Sequence, residues 1–265
     1  MVRPENTGPA DMYYNAETAA QYNDNTRIND VQLQLTDRAL ELLSMEAPAL
    51  LLEIGAGSGI STNYANEQGY LTIALDISMD MLKLNESDSL LLLDAGKGLP
   101  FQPGQFDGCF SISCLQWLCY SNDNTENPYK RLLCLFSSLF SCLKPGARAV
   151  FQFYPEDDKQ LKLILDASRD AGFAGELIVD FPHSAKAKKI FLVLTGGITG
   201  DKRIGKVSDI KTKRLGNGGR VLSTKMDKHS REWILRKKVQ AAEKGDDIRP
   251  MSKYSGKKRE KWLAK

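Results

Sequence analysis

Histidine is almost missing: two in 265 residues, His183 and His229. The side chain most often used to carry protons near neutral pH is therefore scarce, and chemistry that needs an imidazole base has little to work with. The five cysteines, Cys109, Cys114, Cys119, Cys134 and Cys142, include no C-x-x-C pair and no histidine beside them. That spacing argues against a zinc site. All five sit in or beside apolar runs, where a free thiol behaves as a small buried hydrophobe, so no disulfides and a reducing compartment are expected. No apolar stretch approaches the ~20 residues that span a bilayer. The opening "MVRPENTGPADMYYN" contains no apolar secretory core. A soluble intracellular protein is the expectation, and no internal repeat is visible.

Charge is present but divided. Residues 1–180 carry 12 Lys+Arg against 25 Asp+Glu, and residues 181–265 carry 24 against 8. An acidic body joined to a strongly basic arm suggests a polyanionic partner, with nucleic acid ahead of an acidic membrane.

Periodicity gives the body its architecture. Residues 16–45 read as one or two helices, with Ile28, Val31, Leu35, Ala39, Leu42 and Leu43 on a helical period. Strands are predicted over 49–55, 70–78, 89–96, 106–114, 147–155, 175–182 and 188–196. Helices are predicted over 58–69, 79–88, 127–146 and 156–173, with Gly69 and Pro145-Gly146 as stops. Apolar strands alternating with helices predict an α/β fold, a doubly wound and mostly parallel seven-stranded sheet. The parts would be a helical lid (1–48), a nucleotide-binding domain (49–198) and a basic tail (199–265). Residues 200–228 are too poor in large apolar groups to predict fixed structure.

The stretch "LLEIGAGSGI" (51–60) leads an apolar strand into three glycines, Gly55, Gly57 and Gly59. A dinucleotide cradle would require a glycine where Ile60 stands. The pattern acid-x-G-x-G-x-G, with Glu53 as the acid, resembles motif I of the class I S-adenosylmethionine-dependent methyltransferases. Asp76, at the end of the second strand, suits two ribose hydroxyls. The Asp94-Ala95 pair, after the third, stands where that superfamily holds adenine. All three features fall at carboxyl ends of strands, the ligand-binding edge of an open α/β sheet.

Longer stretches resemble one family closely. They include "RPE" (3–5), "YYN" (13–15), "QYNDNTRI" (21–28), "EIGAGSGIS" (53–61), "SIS.LQWL" (111–118), "RL" (131–132), "FQFYP" (151–155), "EWILRKK" (232–238) and "KYSGKKR" (253–259). The family is the eukaryotic 18S rRNA guanine-N7 methyltransferases, known from bud-site selection in yeast and the Williams–Beuren region in humans. This sequence departs from it at Glu53 (usually Asp), Ala56 (usually Cys) and Thr62 (usually smaller).

The resemblance implies S-adenosylmethionine held by Tyr22, Arg27, Glu53, Gly55, Ala56, Gly57, Gly59, Asp76, Ile77, Met81, Asp94, Ala95 and Ser111, with Arg27 on the methionine carboxylate. It implies a base pocket of Gln116, Trp117 and Tyr154 that positions guanine without a general base. It further implies a small zinc-binding activator protein on edge strand 89–96, contact of the basic tail with 18S rRNA or the pre-40S particle, no resident metal, and location in the nucleus, nucleolus and cytoplasm. "KTKR" (211–214) and "KKREK" (257–261) suit nuclear import. The alternatives are a class I enzyme acting on a small molecule or protein, and a non-catalytic RNA-binding assembly factor.

Overall fold

The computed structural model describes residues 3–121, 126–182, 184 and 187–196. The basic arm and both histidines lie outside the described residues. Three helices come first: α1 (Ala10–Tyr13), α2 (Ala16–Asn23) and α3 (Thr26–Leu43). The polar run Asn23, Asp24 and Asn25 separates the last two. Asn25 caps α3 by accepting from the Ile28 N–H at 3.2 Å, satisfying a donor that the first helical turn leaves free. The predicted face of α3, including Leu35, Ala39, Leu42 and Leu43, is buried.

The alternating body follows as β1 (Leu50–Ile54), α4 (Ile60–Glu67), β2 (Leu71–Asp76), α5 (Met79–Leu82), β3 (Leu90–Leu92), β4 (Phe106–Ile112), α6 (Pro128–Cys142), β5 (Leu143–Phe153), α7 (Asp158–Asp170), β6 (Ala174–Asp180) and β7 (Lys189–Thr195). The strand order is β3-β2-β1-β4-β5-β7-β6. Neighbours are parallel from β3 to β5, and β7 runs antiparallel between β5 and β6. Alternate residues face opposite layers. Leu51, Phe110 and Val150 pack with α3, while Leu52, Cys109 and Phe151 pack with α6 and α7.

Three sequence expectations need correction. The strand expected over 89–96 spans only Leu90–Leu92, because Asp94 turns the chain into a short 3-10 helix by accepting from the Gly96 N–H at 2.9 Å. The helix expected over 79–88 is a single turn, Met79–Leu82. The helix expected to reach Pro145-Gly146 stops at Cys142, because Leu143 already pairs with Phe106 and Lys144 forms an ion pair with Asp107. Cys109 and Cys142 are buried as expected, but Cys134 is exposed on α6.

Candidate active site

The chain leaves β1 and returns to β4 on opposite sides, so a crevice opens at the carboxyl ends of these neighbouring strands. A cavity of about 710 Å³ occupies it, walled by the strand ends and roofed by the N-terminal helices. That volume suits a ligand of nucleoside size with room for a second ring system.

The glycine loop forms its floor. Gly55, Gly57 and Gly59 all have positive φ, at 77°, 55° and 90°. The reason at Gly55 lies inside the protein as well as in the ligand. A Cβ there would stand 2.4 Å from both Cβ and Sγ of Cys114. Gly55, Ala56 and Gly57 line the cavity, as do Asp76, Ile77 and Met81 after β2, and Asp94 and Ala95 after β3. Asp76 accepts from the Gly57 N–H at 2.9 Å and the Ser78 N–H at 2.8 Å. Burial raises its carboxyl above the ordinary range, and these backbone donors oppose the rise. Asp94 is held by Arg131, whose Nη2 donates to Oδ1 at 3.1 Å.

Three expected cofactor residues stand behind the wall instead of lining it. The Glu53 carboxylate is fully buried and accepts from the Ser61 hydroxyl and from the Thr62 hydroxyl at 2.6 Å, tying β1 to α4. Burial pushes Glu53 up to about 7 against those two hydrogen bonds, and the nearby Asp76 charge adds to the rise. Gly59 starts α4 from the left-handed region. The Ser111 hydroxyl donates to the Ile54 carbonyl at 2.7 Å, locking the ends of β4 and β1 together.

The cavity wall also carries aromatic side chains. Gln116, Trp117 and Tyr154 all reach it, with Tyr22 and the exposed Arg27 above. Arg27 has no ion-pair partner among the described residues. Trp117 lies 5.6 Å from the Tyr14 ring and 5.8 Å from Tyr13, so the N-terminal helical segment and the 3-10 helix Leu115–Cys119 share one aromatic cluster. Burial raises Tyr14 strongly and pushes Tyr22 up to about 12, so both stay neutral hydroxyls at physiological pH. Tyr154 is held by Lys189, which donates to its hydroxyl at 2.7 Å.

Several lining residues were not assigned a role from sequence. Arg3, Glu5, Tyr14, Cys114 and Arg131 all reach the cavity. The signal was present for most of them, since "RPE", "YYN" and "RL" were among the family stretches. Three buried polar atoms of the wall, Ser58 Oγ, Gln116 Oε1 and Arg131 Nε, have no partner among the described residues. Polar ligand groups would satisfy them, which fits a cofactor bearing an amino acid, a ribose and a purine.

The chain matches a methyltransferase domain model over residues 52–151. It also matches the model for the methyltransferase involved in Williams-Beuren syndrome over residues 200–261. It is 43% identical to a mouse 18S rRNA (guanine-N(7))-methyltransferase, covering 97% of this chain and 96% of that protein. It is 42% identical to the corresponding Schizosaccharomyces pombe protein, over 98% of each. Among solved structures, a methyltransferase in complex with the Trm112 activator of Haloferax volcanii superposes with a TM-score of 0.52 at 18% identity, over 69% of this chain and 97% of that one. With the fold, the glycine loop and near full-length likeness in agreement, the chain belongs to the 18S rRNA (guanine-N7)-methyltransferase family.

Proposed function

We propose that this protein methylates N7 of a guanine in 18S rRNA from S-adenosylmethionine and serves small-subunit biogenesis in the nucleus. The carrying observation is that one cavity is lined both by the glycine loop and Asp76 and by Gln116, Trp117 and Tyr154. When bound, S-adenosylmethionine supplies an electrophilic sulfonium methyl whose bonding pair stays on sulfur. The residues suited to hold it are Gly55, Ala56, Gly57, Asp76, Ile77, Met81, Asp94 and Ala95, with Tyr22 and Arg27 on the lid side. Glu53, Gly59 and Ser111 keep that floor in shape.

Guanine N7 carries a lone pair and no proton, so the protein has none to remove. Its task is to hold the base in line and to stabilise the positive ring that results. The Trp117 and tyrosine faces suit a flat, charged ring, an aromatic platform being worth roughly 1–3 kcal/mol per base.

Two partners belong to this reading. Strand β3 is one edge of the sheet, and Leu92 on it is about half exposed, as is Met79 on α5. An apolar edge strand is a template for added pairing, and a small zinc-binding activator would cover it. The basic residues beyond 199 would follow rRNA phosphates. The test co-expresses the chain with its activator, titrates S-adenosylmethionine by calorimetry, and maps N7-methylguanine on 18S rRNA. Cofactor binding without any rRNA methylation would refute the substrate assignment. No cofactor binding would refute the enzyme.

A further inference from the structure

Glu5 is unusual for a carboxylate: it is only 8% exposed, yet it belongs to a short 3-10 turn, Pro4–Asn6, near the chain's N-terminal end. The turn is fastened from a distance. Arg3 Nη1 donates to the Tyr154 carbonyl at 2.8 Å and Nη2 to the Pro155 carbonyl at 3.2 Å, while Nη1 also lies 3.4 Å from Glu5 Oε1. Glu5 is thereby held against the cavity and beside the helix Leu115–Cys119. Burial pushes Cys119 up to about 12, and the Glu5 charge adds to that rise. Gln116 lies on the same helix and also lines the cavity. Its Nε2 donates to the Ser113 carbonyl at 2.7 Å, which fixes the amide's orientation. Its Oε1 is buried with no partner among the described residues. A buried carbonyl oxygen without a donor is costly unless a ligand supplies one.

The cavity wall therefore offers two acceptors, a carboxylate and an amide oxygen left without a donor among the described residues. Guanine's Watson–Crick edge offers donors at N1 and N2, where adenine offers an acceptor at N1. That edge points away from N7, and so away from the methyl group. We propose that the Glu5 carboxylate accepts from N1–H and one N2–H of the target guanine, and that the Gln116 side-chain oxygen accepts from the other N2–H, which makes Glu5 a specificity-determining residue. The assignment rests on the functional reading above and extends it to base choice. Methylation at N7 makes the ring cationic and N1–H more acidic. A hydrogen bond from N1–H to a carboxylate then strengthens as the reaction proceeds, which favours kcat over KM.

The test uses the full chain with its activator and ligated 18S rRNA carrying guanosine or inosine at the modified nucleotide. Inosine lacks only the N2 amino group. For the wild type, inosine should cost roughly tenfold or more in kcat/KM, from the lost charged hydrogen bond. In Glu5→Gln and in Gln116→Met that penalty should shrink to about threefold or less, while S-adenosylmethionine affinity by calorimetry stays within about twofold. Glu5→Gln should lower kcat more than it raises KM. An undiminished inosine penalty overturns the assignment of Glu5 or of Gln116, whichever variant shows it. Loss of cofactor affinity in Glu5→Gln would place that residue in the cofactor half and overturn it too. A wild type inactive on guanosine rRNA refutes the functional reading itself, and base choice falls with it.

Discussion

Individual residues divide into those that line the cavity and those that hold the lining ones in place. Asp76 does both, because its carboxylate organises the Gly57 and Ser78 N–H groups around the crevice. Asp76→Ala should weaken S-adenosylmethionine binding roughly a hundredfold or more, measured by calorimetry, as two charge-assisted hydrogen bonds are lost. Glu53 belongs to the second kind, and its behaviour is a matter of pH. Its folded pKa is raised, so the stability it contributes is complete below its ordinary value of 4.5 and is lost as pH rises through about 7. Melting curves at pH 5 and pH 8 should show the wild type losing up to about 3 kcal/mol more than Glu53→Gln across that window. Two glycines with positive φ give a sharper comparison. Ala at Gly104, where nothing lies within 4 Å, should cost only the backbone strain of about 1–2 kcal/mol. Ala at Gly55 must also displace Cys114 and should cost several kcal/mol in denaturant unfolding, with loss of cofactor binding. The places of Gly55 and Asp76 on the cavity wall were legible in sequence because they are local, a strand end followed by a turn. Arg3 and Glu5 were not, because their meaning depends on Tyr154 and Pro155 about 150 positions away.

At the level of elements, the seven strands were readable from apolar runs, and their ends were not. Local capping decides ends, and a cap competes with the apolar pattern. Asp94 illustrates this: four leucines argue for a long strand, yet its bond to the Gly96 N–H ends the pairing at Leu92. The consequence is a short, leucine-bearing edge. Leu92→Lys should abolish co-purification with the activator and leave S-adenosylmethionine affinity of the protein that stays soluble unchanged, because position 92 is half exposed and absent from the cavity wall. Equal loss of both would mean that β3 supports the cofactor floor more than a partner. The N-terminal helical segment was also only partly legible. Its helical period was plain, whereas the packing of Tyr13 and Tyr14 on Trp117 joins elements about a hundred residues apart.

For the whole molecule, the division of charge is the dominant feature, with the excess of Lys and Arg beyond residue 180 set against an acidic body. Removing 200–265 should lower rRNA affinity and flatten its dependence on salt, since fewer counterions are released, while S-adenosylmethionine affinity remains near the full-length value. A parallel fall in both would remove the arm from the RNA-binding role. Finally, the cavity wall is pinned by fastening residue 3 to residues 154 and 155, a clasp joining distant stretches of chain by two hydrogen bonds. Such clasps are entropically dear to form and easy to open. Activity should therefore fade in mild urea well before the sheet melts, as a purse loosens at its drawstring while the cloth stays whole.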